Sequence, residues 1–308
     1  MYYFIVNPNS CGGRGYKVWN HIEKQLITEQ VDYEYYLTEH PGDARNKARE
    51  LTEGRKEPKI IVVVGGSGSL NEVLDGLDFG CRITMGYIPA GVGNALKRSL
   101  KLPGNPRRCL KKILHPKYYR MMDYGILAYG EDEMEHRRFI GSAGIGLDAE
   151  ICHSIMSWRT GCKKEKVYIG RAAYLFAGLK RLFTMKPVKG YMILDGVKRV
   201  EFNHINLISA QIQPYSDGGF CLAPKASDQD GKLTVCVIHH VPKLKLFRIM
   251  VRAYLGRSIR CSGVRYFDCS DAEIHVETPM PVHVDGESCF CQNRIQISCV
   301  EKKIRMIV

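Results

Sequence analysis

The sequence predicts an α/β domain with a parallel sheet, followed by a mainly antiparallel β domain. Three observations carry this reading. Up to Leu100, strand and helix patterns alternate, which argues for a parallel sheet wound by crossovers. The apolar, β-branched run Ile60–Val64 stops at Gly65-Gly66-Ser67-Gly68-Ser69, and such runs fit a strand buried on both faces of a parallel sheet. From about Tyr124 onward, short alternating segments dominate, punctuated by turn pairs such as Asp195-Gly196, Asp230-Gly231 and Asp285-Gly286.

The elements follow in order. Tyr2–Val6 reads as a strand, then a polar glycine-rich loop, then a helix around Tyr16–Glu29. Tyr33–Leu37 is strand-like, and Asp43–Leu51 is helical, with Gly42-Asp43 supplying its start. Lys59–Val64 is the central strand, Leu70–Leu77 a helix, and Ile83–Ile88 a strand closed by Pro89. Gly91-Val92-Gly93-Asn94 opens a basic helix through Leu100. In the second part, strands are expected at Arg138–Ser142, Val188–Leu194, Arg199–Ser209, Lys232–Val241, Val264–Cys269, Glu273–Glu277, Pro281–Val284 and Arg294–Cys299. Two helical insertions interrupt them, near Gly170–Phe183 and Leu244–Leu255. The expected domains are 1–124 and 125–308, with the last strand, about 293–308, returning to the first domain.

A chain of 308 residues suits two domains better than one, and 45% hydrophobic residues suffice for ordinary cores. Lys and Arg number 45 against 32 Asp and Glu, a net charge of +13 that favours anionic partners without choosing among them. The 12 cysteines lie mostly singly in apolar or strand-like text. One C-x-C, Cys289 and Cys291, has no C-x-x-C pair or histidine spacing to complete a zinc site. Buried free thiols in a reducing cytosol are the better account. The start Met1-Tyr2-Tyr3-Phe4-Ile5-Val6-Asn7-Pro8 has no basic leader pattern, and no apolar run approaches a membrane span.

Glycine loops recur at strand ends: Asn7-Pro8-Asn9-Ser10-Cys11-Gly12-Gly13, Gly65-Gly66-Ser67-Gly68-Ser69, and Pro89-Ala90-Gly91-Val92-Gly93-Asn94. In an open parallel sheet, these carboxyl ends line the crevice where ligands bind. Glycine lets a phosphate approach the backbone, and the N–H groups of the following helix favour an anion. A lone glycine turn is common in α/β proteins; three on one sheet edge are a far more specific signal.

With these loops the chain resembles the diacylglycerol kinase-like lipid kinase family, which includes bacterial lipid kinases, diacylglycerol kinases and sphingosine kinases. The family's NPxSG element looks like Asn7 to Gly12, its GGDGTxNEV element like Gly65 to Val73, and its P-x-G-T-x-N-D element like Pro89 to Ala95. Its GxGxDA element resembles Gly144-Ile145-Gly146-Leu147-Asp148-Ala149. The GGG…P-x-A…DG-x-L run resembles Gly218-Gly219 to Leu233, and the late DGE resembles Asp285-Gly286-Glu287. The resemblance implies a nucleotide-binding α/β domain of the NAD kinase-like/diacylglycerol kinase-like fold, a C-terminal β-sandwich domain and an active site between them. It implies transfer of the γ-phosphate of ATP, with Mg²⁺, to a lipid hydroxyl such as that of diacylglycerol.

The same resemblance assigns residues. Asn7, Asn9, Ser10, Thr38, Gly65, Gly66, Ser67, Gly68, Ser69, Glu72, Gly93 and Asn94 would hold the nucleotide. Asp285 would be the catalytic base, assisted by Glu287. A second metal site in the DG-x-L loop would draw on Asp230, the carbonyl of Lys232 and Asp228. Without the resemblance, Asp285-Gly286 and Asp230-Gly231 read as hairpin turns.

The chain also departs from the pattern. The GGDGT Asp is Ser67 and its Thr is Ser69; the ND Asp is Ala95. The Asn before the GGG loop is replaced by Ala210 or Gln211, that loop reads Ser216-Asp217-Gly218-Gly219, and Ser227 replaces a carboxylate of the metal loop. A hydroxyl cannot neutralise a divalent metal, so a weakened or inactive member that binds nucleotide or lipid is the first rival reading. A NAD kinase-like enzyme is the second. Basic clusters at Lys97-Arg98, Arg107-Arg108, Lys111-Lys112, Lys163-Lys164 and Lys180-Arg181 suit an anionic lipid surface, or are solvated faces. Aromatic residues do not interleave with them in a nucleic-acid-binding pattern. The expected partners are a lipid substrate at a membrane surface and, as a homodimer, a second copy of the chain, with no nucleic acid. The expected location is the cytoplasm, peripherally at the inner face of the membrane.

Overall fold

The structure is a computed structural model that describes residues 1–90, 95–130, 133–161, 171–257 and 259–308. Gly93 and Asn94 therefore lie outside the described residues, as do Lys163, Lys164 and Tyr168. The chain divides into two compact units. One holds residues 1–122 and 302–308, the other 123–161 and 171–301, taking the described residues only.

The first unit alternates strand and helix: β1 (Tyr2–Val6), α1 (Ser10–Thr28), β2 (Tyr33–Leu37), α2 (Asp43–Thr52), β3 (Lys59–Gly65), α3 (Ser67–Gly76), β4 (Ile83–Pro89), α4 (Ala95–Ser99) and α5 (Pro106–Leu114). β1 pairs in parallel with β2 and β3, and β3 with β4. The C-terminal residues of β13 (Glu287–Ile307) complete this sheet in parallel, through Arg305↔Thr84 and Met306↔Met85. Ile61–Val64 are fully buried, as a strand covered on both faces requires. Phe4 packs on Trp19 at 5.3 Å between ring centroids, and Val62, Val64, Ile88, Leu110 and Ile113 belong to the same core. α2 starts where the Asp43 carboxylate accepts the N–H groups of Glu39 and His40, both at 2.8 Å. α5 starts at Asn105, whose side chain accepts the N–H of Arg107, with Pro106 in the first turn.

The second unit is antiparallel. It contains β5 (Tyr119–Tyr129, entering from the first unit), β6 (Glu135–Phe139), β7 (Ser142–Gly146), α6 (Leu147–Gly161), α7 (Arg171–Thr184), β8 (Val188–Leu194), β9 (Lys198–Gln211), β10 (Leu233–His239), α8 (Lys243–Tyr254), β11 (Val264–Cys269), β12 (Asp271–Val284) and most of β13. β7 pairs with β9 and β12, and β9 with β10, all antiparallel. One core lies among these strands, and a second joins α6, α7 and α8 to them through Leu147, Ile151, Leu182, Leu207, Leu246 and Ile249.

Several elements differ from the sequence reading, among them β5, which was not expected as a strand, and β12, which joins two expected strands. Arg138–Ser142, expected as one strand, breaks between β6 and β7, because the N–H groups of Ile140, Gly141 and Ser142 turn toward the Asp285 carboxylate. α6 was not expected: Leu147, Ala149, Ile151, Cys152 and Ile155 are buried, so apolar residues cover much of its circumference and blur the amphipathic period. α5 was read only as a basic cluster, although Cys109, Leu110 and Ile113 form its buried stripe.

Candidate functional site

In the first unit, the loops after β1 and β3 are tied to one another. The Asn7 N–H donates to the Val64 carbonyl at 2.9 Å, and Asn7 Nδ2 donates to Ser69 Oγ at 2.9 Å. A Cβ on Gly15 would lie 1.9 Å from the Asn7 carbonyl oxygen, so α1 approaches this loop at a distance only glycine permits. Between them, Cys11, Gly12 and Gly13 have φ of 53°, 67° and 90°. Regular helix therefore begins only at Arg14, and Cys11 holds a left-handed conformation that glycine adopts more cheaply.

After β3, Gly65 cannot carry a side chain, since its Cβ would stand 2.7 Å from Ser69 Oγ. Its carbonyl accepts the N–H of Ala90 at 2.8 Å and the Tyr87 hydroxyl at 3.3 Å. Gly66 is extended and α3 starts at Ser67, its first intrahelical bond running from the Leu70 N–H to the Gly66 carbonyl. Ser67, Gly68 and Ser69 thus form a first helical turn, whose N–H groups favour an anion. Thr38 is buried, with its N–H on the Val6 carbonyl at 2.9 Å. Asn9 is exposed and Ser10 buried. Glu72 turns away from the loop: its Oε2 accepts the Gly42 N–H at 3.1 Å, anchoring the segment before α2.

In the second unit, Asp285 sits at the β12–β13 turn with φ of 44°, followed by Gly286 at 84°. Only 5% exposed, its carboxylate accepts three backbone N–H groups at 2.9 Å each: Ile140 on Oδ2, Gly141 and Ser142 on Oδ1. A Cβ on Gly141 would meet Oδ1 at 2.8 Å. Three such donors stabilise the charged carboxylate and fix its direction. Glu287 lies across the turn, paired with Val284.

Two residues here were not singled out from the sequence. His283, 1% exposed, places Nε2 3.3 Å from Asp148 Oδ2, and its Nδ1 accepts the Gly286 N–H at 3.3 Å. The Gly286 donation assigns the Nε2–H tautomer, with Asp148 as acceptor. Asp148 Oδ1 also takes the Ala149 N–H at 2.9 Å. Gly144 makes room for the pair, since a Cβ there would lie 2.3 Å from Asp148 Oδ2. The signal was present: His283 precedes Asp285 by two residues, and Asp148 is the acid of the GxGxDA element. The pair lies at one side of a narrow apolar cleft of about 30 Å³, lined by Leu147, Ile151, Tyr174, Phe220 and Met250 among others.

The DG-x-L loop is arranged differently. Asp228 is buried and accepts Gln213 Nε2 at 2.7 Å, whereas exposed Asp230 takes the Lys232 N–H at 3.1 Å. Asp123 Oδ2 accepts the Gly231 N–H at 2.8 Å. Among the described residues, no group of three or more His, Cys, Asp or Glu side chains is placed to hold a metal.

Comparison with known proteins decides the family. Residues 1–125 match the diacylglycerol kinase catalytic domain, and residues 142–308 match the YegS C-terminal NAD kinase beta sandwich-like domain. The chain belongs to the diacylglycerol kinase-like lipid kinase family. A Bacillus subtilis (strain 168) protein named lipid kinase YtlR is 26% identical over 288 residues, 93% of each chain. A diacylglycerol kinase of the same organism is 27% identical over 92% of this chain and 88% of its own length. Two crystal structures from Bacillus anthracis str. Sterne cover 100% of this chain. The first has a TM-score of 0.76 at 22% identity over 94% of that chain. The second, a diacylglycerol kinase, has 0.71 at 20% over 96%. These two show the fold. Membership makes the chain an enzyme of the kinase class, a phosphotransferase.

Proposed function

We propose that this chain transfers the γ-phosphate of ATP to the hydroxyl of a lipid such as diacylglycerol, with Mg²⁺ as the metal. The observation that carries the reading is the apolar cleft of the second unit, with the buried Asp148–His283 pair beside it and Asp285 two residues further along the chain. Its apolar lining suits a hydrocarbon group, which must widen the cleft to enter, and its polar side suits the end that bears the hydroxyl.

The loops after β1 and β3 fit a polyphosphate: glycines where a side chain would fill the cradle, then the first turn of α3. Mg²⁺ would neutralise charge on the transferred phosphoryl group. The DG-x-L loop, as arranged, lacks a set of three carboxylate or imidazole ligands for a metal. Asp285 accepts the proton of the attacking hydroxyl. Three N–H donors fix its direction, and a loose phosphoryl transfer demands little of its base. Glu287 assists beyond the turn. Asp148, oriented by His283 Nε2–H, receives the lipid's polar end.

The membrane surface is the expected source of substrate. On α7, Phe176, Lys180 and Phe183 are exposed at i, i+4 and i+7; Leu244 and Arg248 on α8 and Leu255, which caps it, are exposed at i, i+4 and i+11. No Asp or Glu occurs between Arg171 and Leu194 or between Gly231 and Phe267. Interleaved cations and large apolar side chains on outward stripes suit an anionic interface. No described helix is long and apolar enough to cross a membrane.

Ser67 favours a second reading, a nucleotide-binding member with little activity. It begins α3 without the carboxylate of the family pattern, and Ala95 is buried at the start of α4. Labelled γ-phosphate transfer to a lipid panel, with NAD as a further acceptor, separates the readings. Product from diacylglycerol supports the first. Product from NAD alone shifts the assignment to a NAD kinase. Nucleotide binding without any product supports the second reading, and Ser67→Asp then shows whether the missing carboxylate is the cause.

A further inference from the structure

We propose that the groove between the end of α1 and the start of α5 binds a compact phosphate-bearing anion, apart from the glycine loops. The groove, of about 440 Å³, is lined by Lys24, Gln25, Thr28, Glu29, Arg107, Arg108 and Lys111. Four cations face one carboxylate, and Glu29 already accepts Gln25 Nε2 at 2.8 Å. Among the described residues, none of the four cationic side chains has an ion pair or side-chain hydrogen bond.

The position is rigid. Asn105 and Pro106 fix the first turn of α5, while Cys109, Leu110 and Ile113 bury its inner stripe. Arg107 and Arg108 therefore project from the turn where a helix ordinarily favours acidic residues, at a cost the fold does not recover internally. Lys24 and Thr28 stand one turn apart on α1 and supply the opposite wall. Lys24 lies roughly 15 Å along α1 from Arg14, at 1.5 Å per residue, well away from the loop that opens that helix. A concave site with an excess of three positive charges matches a phosphomonoester or pyrophosphate group, carried either by a free solute or by a lipid headgroup.

The test measures pyrophosphate binding by calorimetry at low salt, with a non-hydrolysable ATP analogue present in excess. Phosphatidylcholine vesicles containing phosphatidic acid are assayed in parallel by co-sedimentation. Arg107→Ala/Arg108→Ala/Lys111→Ala is compared with Arg55→Ala/Lys56→Ala/Arg82→Ala, which removes the same charge from exposed positions of the same unit. The expected result is at least a tenfold loss of pyrophosphate affinity in the first variant alone. A selective loss confined to vesicles supports the groove with a lipid headgroup as the source. Equal effects in both variants, or no binding to either probe, overturn the proposal. Lys24→Ala, on the other helix, repeats the test should the triple variant unfold. Because the readout is the difference between variants without phosphoryl transfer, an inactive kinase leaves it interpretable.

Discussion

Asp285 anchors three backbone N–H groups and is the proposed base. Asn at this position keeps one acceptor oxygen but faces three N–H donors with an amide that is itself a donor. Asp285→Asn is expected to lower stability by about 1–3 kcal/mol, the usual range when buried donors lose their acceptor. Lipid phosphorylation by the folded fraction should fall roughly 10²-fold or more, as for loss of a general base. Unfolding in urea and turnover, read on the same preparation, check both. Gly15→Ala tests the loop without touching a chemical group: a Cβ 1.9 Å from the Asn7 carbonyl must displace α1 or the loop. Nucleotide affinity is expected to drop at least tenfold, with stability reduced by about 1–3 kcal/mol; unchanged affinity would mean the loop does not bind the nucleotide.

At the scale of elements, helices α7 and α8 carry the membrane reading. Phe176→Glu/Phe183→Glu is expected to reduce co-sedimentation with anionic vesicles at least tenfold, with little change in stability because both rings are exposed. Binding equal to the unsubstituted chain would remove this face from the account. Much of the element order was legible because its causes are local. The run Ile60–Val64 could only be a buried strand, Pro89 closed β4, and Asp43 announced α2. The glycine loops were legible because a missing side chain is visible in a sequence. What stayed hidden depends on distant partners. The break between β6 and β7 is made by Asp285, which lies far along the chain. Asn7 and Glu72, read as nucleotide contacts, bond to Ser69 and Gly42, and nothing local specifies those pairings. His283 and Asp148 meet through the pairing of β12 with β7.

For the whole molecule, two half-buried imidazoles, His153 and His239, set a pH dependence. Burial, with the neighbouring His283 and Arg181, holds His153 below its ordinary 6.5, although its bond to the Val282 carbonyl acts the other way. Burial, with Arg265 and His240, lowers His239 likewise. Below pH 6.5 the unfolded chain then binds more protons than the folded one. Stability is fully present above 6.5 and is lost as pH falls toward the folded values. Half-buried Glu150, raised by burial, acts oppositely above 4.5, so a variant difference isolates the histidine. Denaturation midpoints at pH 7.5 and 5.5 should differ less in His153→Gln than in the unsubstituted chain; an identical difference would mean that His153 does not contribute.

The activity proposed for this chain is phosphorylation of a lipid hydroxyl. Transfer of labelled γ-phosphate from ATP to diacylglycerol in mixed micelles, for the unsubstituted chain beside Asp285→Asn, addresses it most directly. The expected result is labelled phospholipid from the first and at least a hundredfold less from the second, both preparations being folded. Equal labelling by the two, or none by the unsubstituted chain while it binds ATP, would contradict it.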